Sequence, residues 1–250
     1  MTTVLIDGDI VVYRSAASCE PSKTRDYVEP LEVAIMRADD LMKRILEDTQ
    51  ATACKAFLTG SDNFRMQFNP EYKANRKDVV RPRWLQDVRE HLVVNWNASV
   101  EDGQEADDAI GIAQCLQNKI MKDNWEGEIC PVDGTIIASI DKDLLCIPGE
   151  HYNFVTGEFR EQSDVAACRH FYWQLIMGDR GDNVFGYDGK ARHAVPKFME
   201  PIMDELSSYS DELDMFSFVR GLYQDDERLL MNMRCLWIRH KEGEIREFPK

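Results

Sequence analysis

The chain has 250 residues, and 30 basic against 45 acidic side chains give a formal charge of −15. A hydrophobic content of 44% with 30% charged residues is typical of a globular protein and excludes collagen-like, coiled-coil and largely disordered chains. No apolar run is long enough to cross a membrane, and the N-terminus lacks a basic segment, so we expect neither a membrane span nor a signal peptide. The seven cysteines are scattered without C-x-x-C spacing, which predicts reduced thiols in a cytoplasm.

Short apolar segments alternate along the chain with segments whose apolar residues follow a helical period. The predicted strands cover residues 4–6, 53–58 and 135–140, and the predicted helices cover 31–45, 105–121 and 164–177. After residue 200 we predict short helices and a pair of strands at 235–239 and 244–248. The alternation predicts an α/β fold whose central sheet is mostly parallel and flanked by helices.

Acidic residues cluster where predicted elements begin or end. Because parallel sheets bind ligands beyond the carboxyl ends of their strands, Asp7, Asp62 and Asp141 are placed where a site would form. Glu105 and Asp108 are three residues apart and share one helix face, and Asp179 and Asp182 have the same spacing. The acidic groups are Asp7-Gly8-Asp9, Glu105-Ala106-Asp107-Asp108, Asp141-Lys142-Asp143 and Asp179-Arg180-Gly181-Asp182.

The chemistry of these groups points to hard metal ions. Two like charges 4 Å apart repel by roughly 4 kcal/mol at an effective dielectric constant near 20, so converging carboxylates need cations or protons. Carboxylate oxygens suit Mg²⁺ or Mn²⁺ better than zinc. Two such ions about 4 Å apart can activate a water and stabilise the leaving oxygen of a phosphodiester. Any one acidic pair alone could equally be a helix cap or a solvated turn.

A basic stretch lies between the second predicted strand and the acidic helix. It contains an aromatic residue and several cations that could hold a phosphate backbone or a frayed strand end: Tyr72, Lys73, Arg76, Lys77, Arg81 and Arg83. Taken alone, the same residues could form a solvated helix turn.

Five segments together resemble the flap endonuclease and 5′→3′ exonuclease superfamily, especially its short bacteriophage members. In order, they are Val4-Leu-Ile-Asp-Gly-Asp9, Tyr72-Lys-Ala-Asn-Arg76, Glu105-Ala-Asp-Asp108, Ser139-Ile-Asp-Lys-Asp-Leu144 and Gly178-Asp-Arg-Gly-Asp-Asn183. The resemblance implies a PIN-like 5′-nuclease core over residues 1–177, with a helical arch at about 71–93. It further implies a helix–hairpin–helix DNA-binding region and a C-terminal extension packed on the core, together covering 178–250.

The resemblance also assigns roles to residues. Lys73 and Arg76 would act catalytically on the scissile phosphate. The implied metal ligands are Asp7, Asp62, Glu105, Asp107, Asp108, Asp141, Asp143, Asp179 and Asp182, and the implied DNA contacts are Tyr72, Lys77, Arg81, Arg83, Gly186, Gly189, Lys190 and Arg192.

Two positions depart from the pattern of the superfamily. Its members usually carry Asp directly after the second strand, where this chain has Gly60, so Asp62 is the candidate replacement. A further glycine is common where this chain has Ala191, which weakens the expectation of a potassium site in the hairpin.

The expected function is that of a nuclease using two or more Mg²⁺ ions, with Mn²⁺ as a substitute. Its expected partners are DNA with a free 5′ end, a flap or a nicked duplex, and the RNA strand of RNA–DNA hybrids. We expect a monomer in the cytoplasm, which is the host cytoplasm if the chain is encoded by a phage.

Two other functions fit parts of the sequence. A haloacid-dehalogenase-type phosphatase would use Asp7 and Asp9 as nucleophile and acid, with Thr59 as its hydroxyl residue. That assignment leaves Glu105 to Asp108 and the basic stretch without a role. A non-catalytic protein that binds DNA structures would need the basic residues but not the full set of acids.

Overall fold

One sheet of six strands organises the fold of the computed structural model, which describes residues 2–77, 79–123 and 134–250. The strands are β1 (Thr3–Asp7), β2 (Ala53–Thr59), β3 (Ser99–Glu101), β4 (Thr135–Ala138), β5 (Gly149–Asn153) and β6 (Glu158–Gln162). Their order in the sheet is β3-β2-β1-β4-β5-β6. The pairs β1–β2, β1–β4, β2–β3 and β4–β5 are parallel, which confirms the predicted fold class.

Eight α-helices accompany the sheet in the described residues. They are α1 (Gly8–Ala17), α2 (Leu31–Thr49), α3 (Leu85–Trp96), α4 (Ala106–Asp123), α5 (Asp164–Met177), α6 (Glu200–Ser208), α7 (Glu212–Tyr223) and α8 (Asp226–Leu236). Short 3₁₀ helices cover Phe64–Gln67, Ala74–Arg76, Lys142–Cys146 and Lys197–Met199. Among the helices described, none is long and apolar enough to cross a membrane.

The chain packs as two units. The first, which we call the sheet unit, comprises Met1–Asp62, Val80–Leu144 and Gly149–Glu161. The second, the helical unit, comprises Asn63–Val79, Leu145–Pro148 and Gln162–Lys250. Each unit has its own buried apolar core.

The core of the sheet unit forms where helices pack on the central strands. α4 packs against β1, β2 and β4, and α1 packs against α2 and α3. Val4, Ile6 and Leu58 are completely buried, as apolar strands of a covered parallel sheet should be. Gly8 lets α1 begin directly after β1, because a Cβ there would lie 2.6 Å from the carbonyl oxygen of Phe57.

The core of the helical unit surrounds α5. This helix packs against α6, α7 and α8 and buries Phe171, Leu175 and Met177 completely. Because apolar side chains surround most of α5, it lacks the single apolar stripe of a surface helix. The last residue of α5 leads directly into the acidic loop at Asp179.

The predicted C-terminal strand pair is wrong. α8 continues to Leu236, and residues 237–250 contain no strand. Carbonyl groups of this segment accept hydrogen bonds from a side chain and not from a neighbouring strand. The buried guanidinium of Arg65 donates to the carbonyl oxygens of Cys235 at 2.8 Å and of Trp237 at 2.7 Å. The apolar run from Cys235 to Ile238 is buried, so its composition reflects core packing and not strand pairing.

Several other elements were not predicted from the sequence. The structure contains α1, α3 and the strands β3, β5 and β6, although the apolar residues in these segments follow neither a clear helical nor a clear strand period. The predicted arch includes Asp78, which lies outside the described residues. The arch, the helix–hairpin–helix region and the domain boundary at residue 177 stay predictions.

Candidate metal and nucleic-acid site

Two carboxylate-bearing segments meet at the carboxyl ends of β1 and β4, which are neighbouring parallel strands. Asp7 is the last residue of β1 and is 3% exposed. Its Oδ2 accepts a 2.9 Å hydrogen bond from the hydroxyl of Ser139, and its Oδ1 accepts one of 3.2 Å from the backbone N–H of Ile10. The Ser139 hydroxyl also accepts a 2.9 Å hydrogen bond from the N–H of Asp141. One serine therefore links the Asp7 carboxylate to the Asp141 backbone.

The segment after β4 is held by its own carboxylate. Oδ1 of Asp141 accepts a 2.9 Å hydrogen bond from the N–H of Asp143, at the start of the 3₁₀ helix Lys142–Cys146. Both Asp141 and Asp143 are half-buried. The predicted D-x-D pair after this strand thus has a defined backbone conformation, although its side-chain roles are untested.

The electrostatics of Asp7 reflect its buried, acidic surroundings. Burial is the largest cause that raises the pKa of this carboxyl group to about 7. The Ser139 hydrogen bond lowers the pKa, and the negative charges of Asp9 and Asp141 raise it. The carboxylate form of Asp7 is therefore costly without a nearby positive charge.

The acidic end of α4 is anchored to the end of β2. The hydroxyl of Thr59, the last residue of β2, accepts a 3.0 Å hydrogen bond from the N–H of Ala106. Oδ2 of Asp108 accepts a 3.1 Å hydrogen bond from the N–H of Glu105. Glu105 and Asp108 are buried and Asp107 is half-buried, which agrees with the shared helix face expected for the first two.

Asp9 has structural partners in the sheet unit. Its Oδ1 lies 3.0 Å from the guanidinium of Arg89, and its Oδ2 accepts a 2.9 Å hydrogen bond from the N–H of Thr59. Arg89 also donates to the carbonyl oxygen of Thr59. This arrangement attaches α1 and α3 to the end of β2 and pairs the Asp9 carboxylate with a guanidinium.

Local packing explains why Gly60 follows β2. A Cβ at this position would lie 2.2 Å from Oδ1 of Asp102 and 2.7 Å from the carbonyl oxygen of Glu101. An aspartate at position 60 therefore does not fit the backbone that this chain adopts. Asp62 is exposed and has a positive φ of 57°. Its part in metal binding stays a prediction.

The donor chemistry of the sheet-unit acids fits a hard divalent cation. Asp7, Glu105 and Asp108 are buried carboxylates, and burial together with the charges of Asp9 and Asp141 raises the pKa of Asp7. Within residues 2–77, 79–123 and 134–250, no three His, Cys, Asp or Glu side chains are grouped closely enough to ligate one ion. The convergence of several carboxylates on shared ions therefore stays a prediction.

In the helical unit, three residues of the basic stretch contact Asp182, which belongs to the acidic group Asp179–Asp182. The Tyr72 hydroxyl donates a 2.5 Å hydrogen bond to Oδ2 of Asp182. Oδ1 of the same carboxylate lies 2.8 Å from the guanidinium of Arg76 and 3.5 Å from the Nζ of Lys73. The sequence separates these partners by more than a hundred residues, so their contact could not be read from spacing alone.

Further hydrogen bonds connect residues 71–76 to the acidic loop. The side-chain amide of Asn75 donates to the carbonyl oxygen of Arg180 at 2.7 Å, and Nε of Arg76 donates to that of Gly181 at 3.0 Å. Within the loop, Oδ1 of Asp179 accepts a 2.8 Å hydrogen bond from the N–H of Asp182. The basic motif and the acidic loop thus form one hydrogen-bonded assembly.

The surroundings of Tyr72 correct one prediction. Its ring is 4% exposed and packs in the core of the helical unit, so it is not available as an aromatic face for DNA. The neighbouring cations are more accessible, with 25% of the Lys73 side chain and 54% of the Arg76 side chain exposed. Lys77, Arg81 and Arg83 are exposed as well.

The glycines predicted to contact DNA form a tight turn in the helical unit. The N–H of Gly189 donates to the carbonyl oxygen of Gly186 at 2.9 Å, and Gly189 has a φ of 75°. Lys190 is exposed, whereas the guanidinium of Arg192 forms an ion pair with Asp188. DNA binding at this turn stays a prediction.

The residues that position the acids were not predicted from the sequence. Ser139, Thr59 and Arg89 each bind a carboxylate or a backbone group at the edge of the sheet. Ser139 stands within the quoted motif before Asp141, which was an available signal. Arg89 gave no signal, because its partner Asp9 is 80 residues away in the chain.

Comparison with known proteins identifies the class to which this chain belongs, that of the 5′-nucleases. A family model described as the N-terminal, resolvase-like domain of 5′-3′ exonucleases matches residues 2–172. The chain therefore belongs to this family, which confirms the predicted superfamily and, at the level of the family, the predicted enzyme class.

A curated relative and solved structures extend the comparison. The thermostable DNA polymerase I of Thermus thermophilus is 22% identical over 200 residues, which are 79% of this chain and 24% of that protein. This chain thus spans about a quarter of the length of that relative. A bacteriophage T5 flap endonuclease in a complex with DNA and metal ions is similar in fold, with a TM-score of 0.65 and 15% identity over 94% of this chain and 89% of that one. A bacteriophage T5 5′-exonuclease variant gives a TM-score of 0.60 and 18% identity, over 94% and 87% of the two chains.

Proposed function

We propose that this chain is a divalent-metal-dependent 5′→3′ exonuclease and flap endonuclease that hydrolyses phosphodiester bonds near 5′ ends of DNA. The observation that carries the proposal is the link through Ser139, which joins the Asp7 carboxylate to the Asp141 segment at the carboxyl ends of two adjacent parallel strands. This edge is where parallel sheets bind ligands. Family membership supplies the class of reaction, and the T5 flap endonuclease was crystallised with DNA and metal ions.

The acids are proposed to hold Mg²⁺ or Mn²⁺. In the sheet unit the proposed ligands are Asp7, Asp62, Glu105, Asp107, Asp108, Asp141 and Asp143, and in the helical unit they are Asp179 and Asp182. When bound, a divalent ion offsets the carboxylate charge, lowers the pKa of water and stabilises a leaving oxygen. Burial of Asp7 and Asp108 favours cation binding, because it makes their uncompensated charge costly.

The protein's cations are proposed to handle the substrate phosphates. Lys73 and Arg76 would bind the scissile phosphate and stabilise the charge that develops on it. Lys77, Arg81 and Arg83 with Lys190 and Arg192 would hold the strand backbone, independently of sequence. The products would carry a 5′-phosphate on one side of the cut and a 3′-hydroxyl on the other. The proposed substrates also include the RNA strand of hybrids, and the proposed state is a monomer.

The proposal is tested with a 5′-labelled flap duplex and a nicked duplex, each incubated with the full chain in Mg²⁺ and in EDTA. We expect short 5′ products in Mg²⁺ only. A phosphatase would instead hydrolyse p-nitrophenyl phosphate and leave DNA intact, and a non-catalytic binder would shift the flap duplex without cutting it. The bonds of Asp9 weigh against the phosphatase, because Arg89 and the N–H of Thr59 engage both oxygens of the carboxyl group that would have to donate a proton.

A further inference from the structure

Two helices near the C-terminal end, α7 and α8, supply none of the residues of the site described above. They pack against each other and against α5, the helix that leads into the acidic loop, which we define as residues 179–184. Each of the two helices buries one polar side chain in the helical unit, Tyr223 on α7 and Asn232 on α8. Buried polar groups need hydrogen-bond partners, so the partners of these two side chains show what they hold.

The two side chains bind each other and two backbone carbonyl groups. Nδ2 of Asn232 donates to the hydroxyl oxygen of Tyr223 at 2.8 Å and to the carbonyl oxygen of Phe185 at 2.7 Å. The Tyr223 hydroxyl donates in turn to the carbonyl oxygen of Leu175 at 2.6 Å. Both N–H groups of the amide and the proton of the hydroxyl are therefore used. We call these three hydrogen bonds the Tyr223–Asn232 network.

The two carbonyl groups flank the acidic loop. Leu175 lies in the last turn of α5, where carbonyl groups have no partner within the helix. Phe185 follows the loop directly, and its ring is 49% exposed, so burial of its own side chain does not hold this end of the loop. The network thus attaches the chain on both sides of the loop to α7 and α8.

The backbone of the acidic loop is closed tightly enough to transmit a shift at either end. The N–H of Asp179 donates to the carbonyl oxygen of Val184, and the N–H of Val184 donates to that of Asp179, both at 2.8 Å. Oδ1 of Asp179 also accepts the N–H of Asp182. The chain after the loop returns close to α5, since a Cβ on Gly186 would lie 2.2 Å from the carbonyl oxygen of Ile176. Movement of the flanking carbonyl groups would therefore displace both acids.

The network is neutral and buried. Burial raises the pKa of the Tyr223 hydroxyl to about 12, although the hydrogen bond from Asn232 acts in the opposite direction. The hydroxyl therefore keeps its proton at neutral pH and remains a donor to Leu175. Salt screens buried groups much less than exposed ion pairs, so these bonds persist at the ionic strength of a DNA-binding experiment.

We propose that Tyr223 and Asn232 are positioning residues, which fix the backbone of the acidic loop and thereby the carboxylates of Asp179 and Asp182. Their effect on the loop requires only the hydrogen bonds above. Their effect on cleavage rests on the proposed function, in which the two carboxylates bind metal ions. Loss of a group that orients a metal ligand typically lowers metal affinity or activity by about 10- to 100-fold.

Hydrogen–deuterium exchange followed by NMR tests the effect on the loop, in EDTA and without DNA. The variants Tyr223→Phe and Asn232→Leu remove the donors and keep most of the buried volume. The matched control is Val219→Ala, which leaves the network intact and makes a cavity at a completely buried position of α7. Urea is adjusted so that all variants have the same free energy of unfolding. We expect the Val184 amide to exchange about tenfold faster in both network variants than in Val219→Ala, because one hydrogen bond that holds the loop is lost.

Single-turnover cleavage of a flap duplex tests the effect on the reaction. At saturating DNA we expect both network variants to cut about tenfold more slowly and to need more Mg²⁺ for half-maximal rate. Their affinity for the flap duplex in EDTA should equal that of the wild type. Val219→Ala should match the wild type in all three measurements, because a loss of stability alone leaves the folded loop unchanged.

Equal exchange of the Val184 amide in the network variants and in Val219→Ala would overturn the proposal. Faster exchange with wild-type cleavage and Mg²⁺ dependence would also overturn it, as would equal slowing of cleavage in Val219→Ala. If Asn232→Leu does not fold, Tyr223→Phe, which keeps its ring, decides alone. If the wild type cuts no DNA, the proposed function fails, and exchange still decides whether the network positions the loop.

Discussion

Tyr72 and Asp182 are joined by a 2.5 Å hydrogen bond between the tyrosine hydroxyl and Oδ2 of the carboxylate. The tyrosine ring is buried in the core of the helical unit, so the hydroxyl is held in place by packing. Oδ1 of the carboxylate faces the cations of Lys73 and Arg76. One oxygen of Asp182 is therefore bound by a neutral donor that packing holds in place, and the other by two partly exposed cations.

Replacement of Tyr72 by Phe tests this positioning role. The ring and its packing remain, and the lost hydrogen bond should cost about 1–2 kcal/mol of unfolding free energy. We expect single-turnover cleavage to slow by about tenfold, because an Asp182 carboxylate that rotates is a poorer ligand. Urea unfolding and cleavage at saturating DNA measure the two effects.

Tyr209→Phe is the matched control, since it removes a hydroxyl that donates to Glu205 at 3.1 Å away from the acidic loop. It should leave cleavage unchanged. Equal cleavage by Tyr72→Phe and the wild type would show that Asp182 does not depend on this bond.

Lys73→Ala tests the role of the amine beside Asp182. If the lysine stabilises charge in the transition state, turnover should fall by roughly 10²–10³-fold while DNA affinity changes little. Lys241→Ala, which alters an exposed lysine in the same unit, provides the comparison. A defect seen only in apparent DNA affinity would make Lys73 a docking contact.

Asp141→Asn tests the acidic edge of the sheet without breaking its fold. An asparagine oxygen can still accept the N–H of Asp143, so the backbone should be retained. We expect cleavage to be abolished and DNA binding to be equal or tighter, because one repulsive charge is removed. Cleavage and binding are measured on the same flap duplex.

Asp102→Asn is the matched control. Like Asp141, the Asp102 carboxylate accepts a backbone N–H at 2.9 Å, in this case from Ser61. It should cut DNA normally. Normal turnover in Asp141→Asn as well would remove Asp141 from the site.

Asp9→Asn separates the nuclease from the phosphatase alternative. Asp9 is paired with Arg89 on a partly exposed surface, so the substitution should cost at most about 1 kcal/mol of unfolding free energy. A nuclease should keep cleavage within a few-fold of the wild type. Complete loss of activity with a normal melting temperature would indicate that Asp9 takes part in the chemistry.

His240 predicts how stability depends on pH. Burial, aided by the charge of Arg246, lowers the pKa of this imidazole, although Glu244, Glu212 and Asp164 act in the opposite direction. Because the folded state binds the proton less tightly than the unfolded state, the neutral ring stabilises the fold above the usual histidine pKa. That stability is lost as the pH falls below about 6.5, by at most about 1.4 kcal/mol per pH unit.

His240→Phe should remove this contribution and keep the ring contact with Trp237, whose centroid lies 4.4 Å away. Urea unfolding at pH 5 to 8 should show the variant losing less stability than the wild type at low pH. His193→Gln, at an exposed histidine, should follow the wild type. Parallel curves for His240→Phe and the wild type would contradict the assignment.

The sheet was predictable because its strands are apolar and end at acidic residues. β1, β2 and β4 are central strands covered on both faces, and such strands appear in a sequence as continuous apolar runs. β3 and β6 lie at the two edges, where burial is lower and the pattern weaker. The C-terminal strand pair was predicted wrongly for a related reason. Trp237 and Ile238 form an apolar run because they are buried in tertiary packing, and not because they belong to a strand.

The candidate site was predictable as a set of residue types but not as an arrangement. Acidic motifs at element ends made Asp7, Glu105 and Asp141 candidate site residues from local pattern alone, and the structure bears out their positions at the ends of elements. The residues that hold these carboxylates in place cannot be predicted from local sequence. For example, nothing in the sequence near Asp182 indicates that the Tyr72 hydroxyl donates a hydrogen bond to it. Burial of the Tyr72 ring is likewise a tertiary property, and an aromatic residue beside cations in the sequence predicts a DNA-binding surface equally well whether or not its ring is buried.

The most direct test of the central claim is a crystal structure of the chain soaked in Mn²⁺, with anomalous scattering used to locate the ions. We expect an ion coordinated by carboxylate oxygens of Asp7 and Asp141. Anomalous maps that show Mn²⁺ elsewhere on the protein, with neither carboxylate bound, would contradict it.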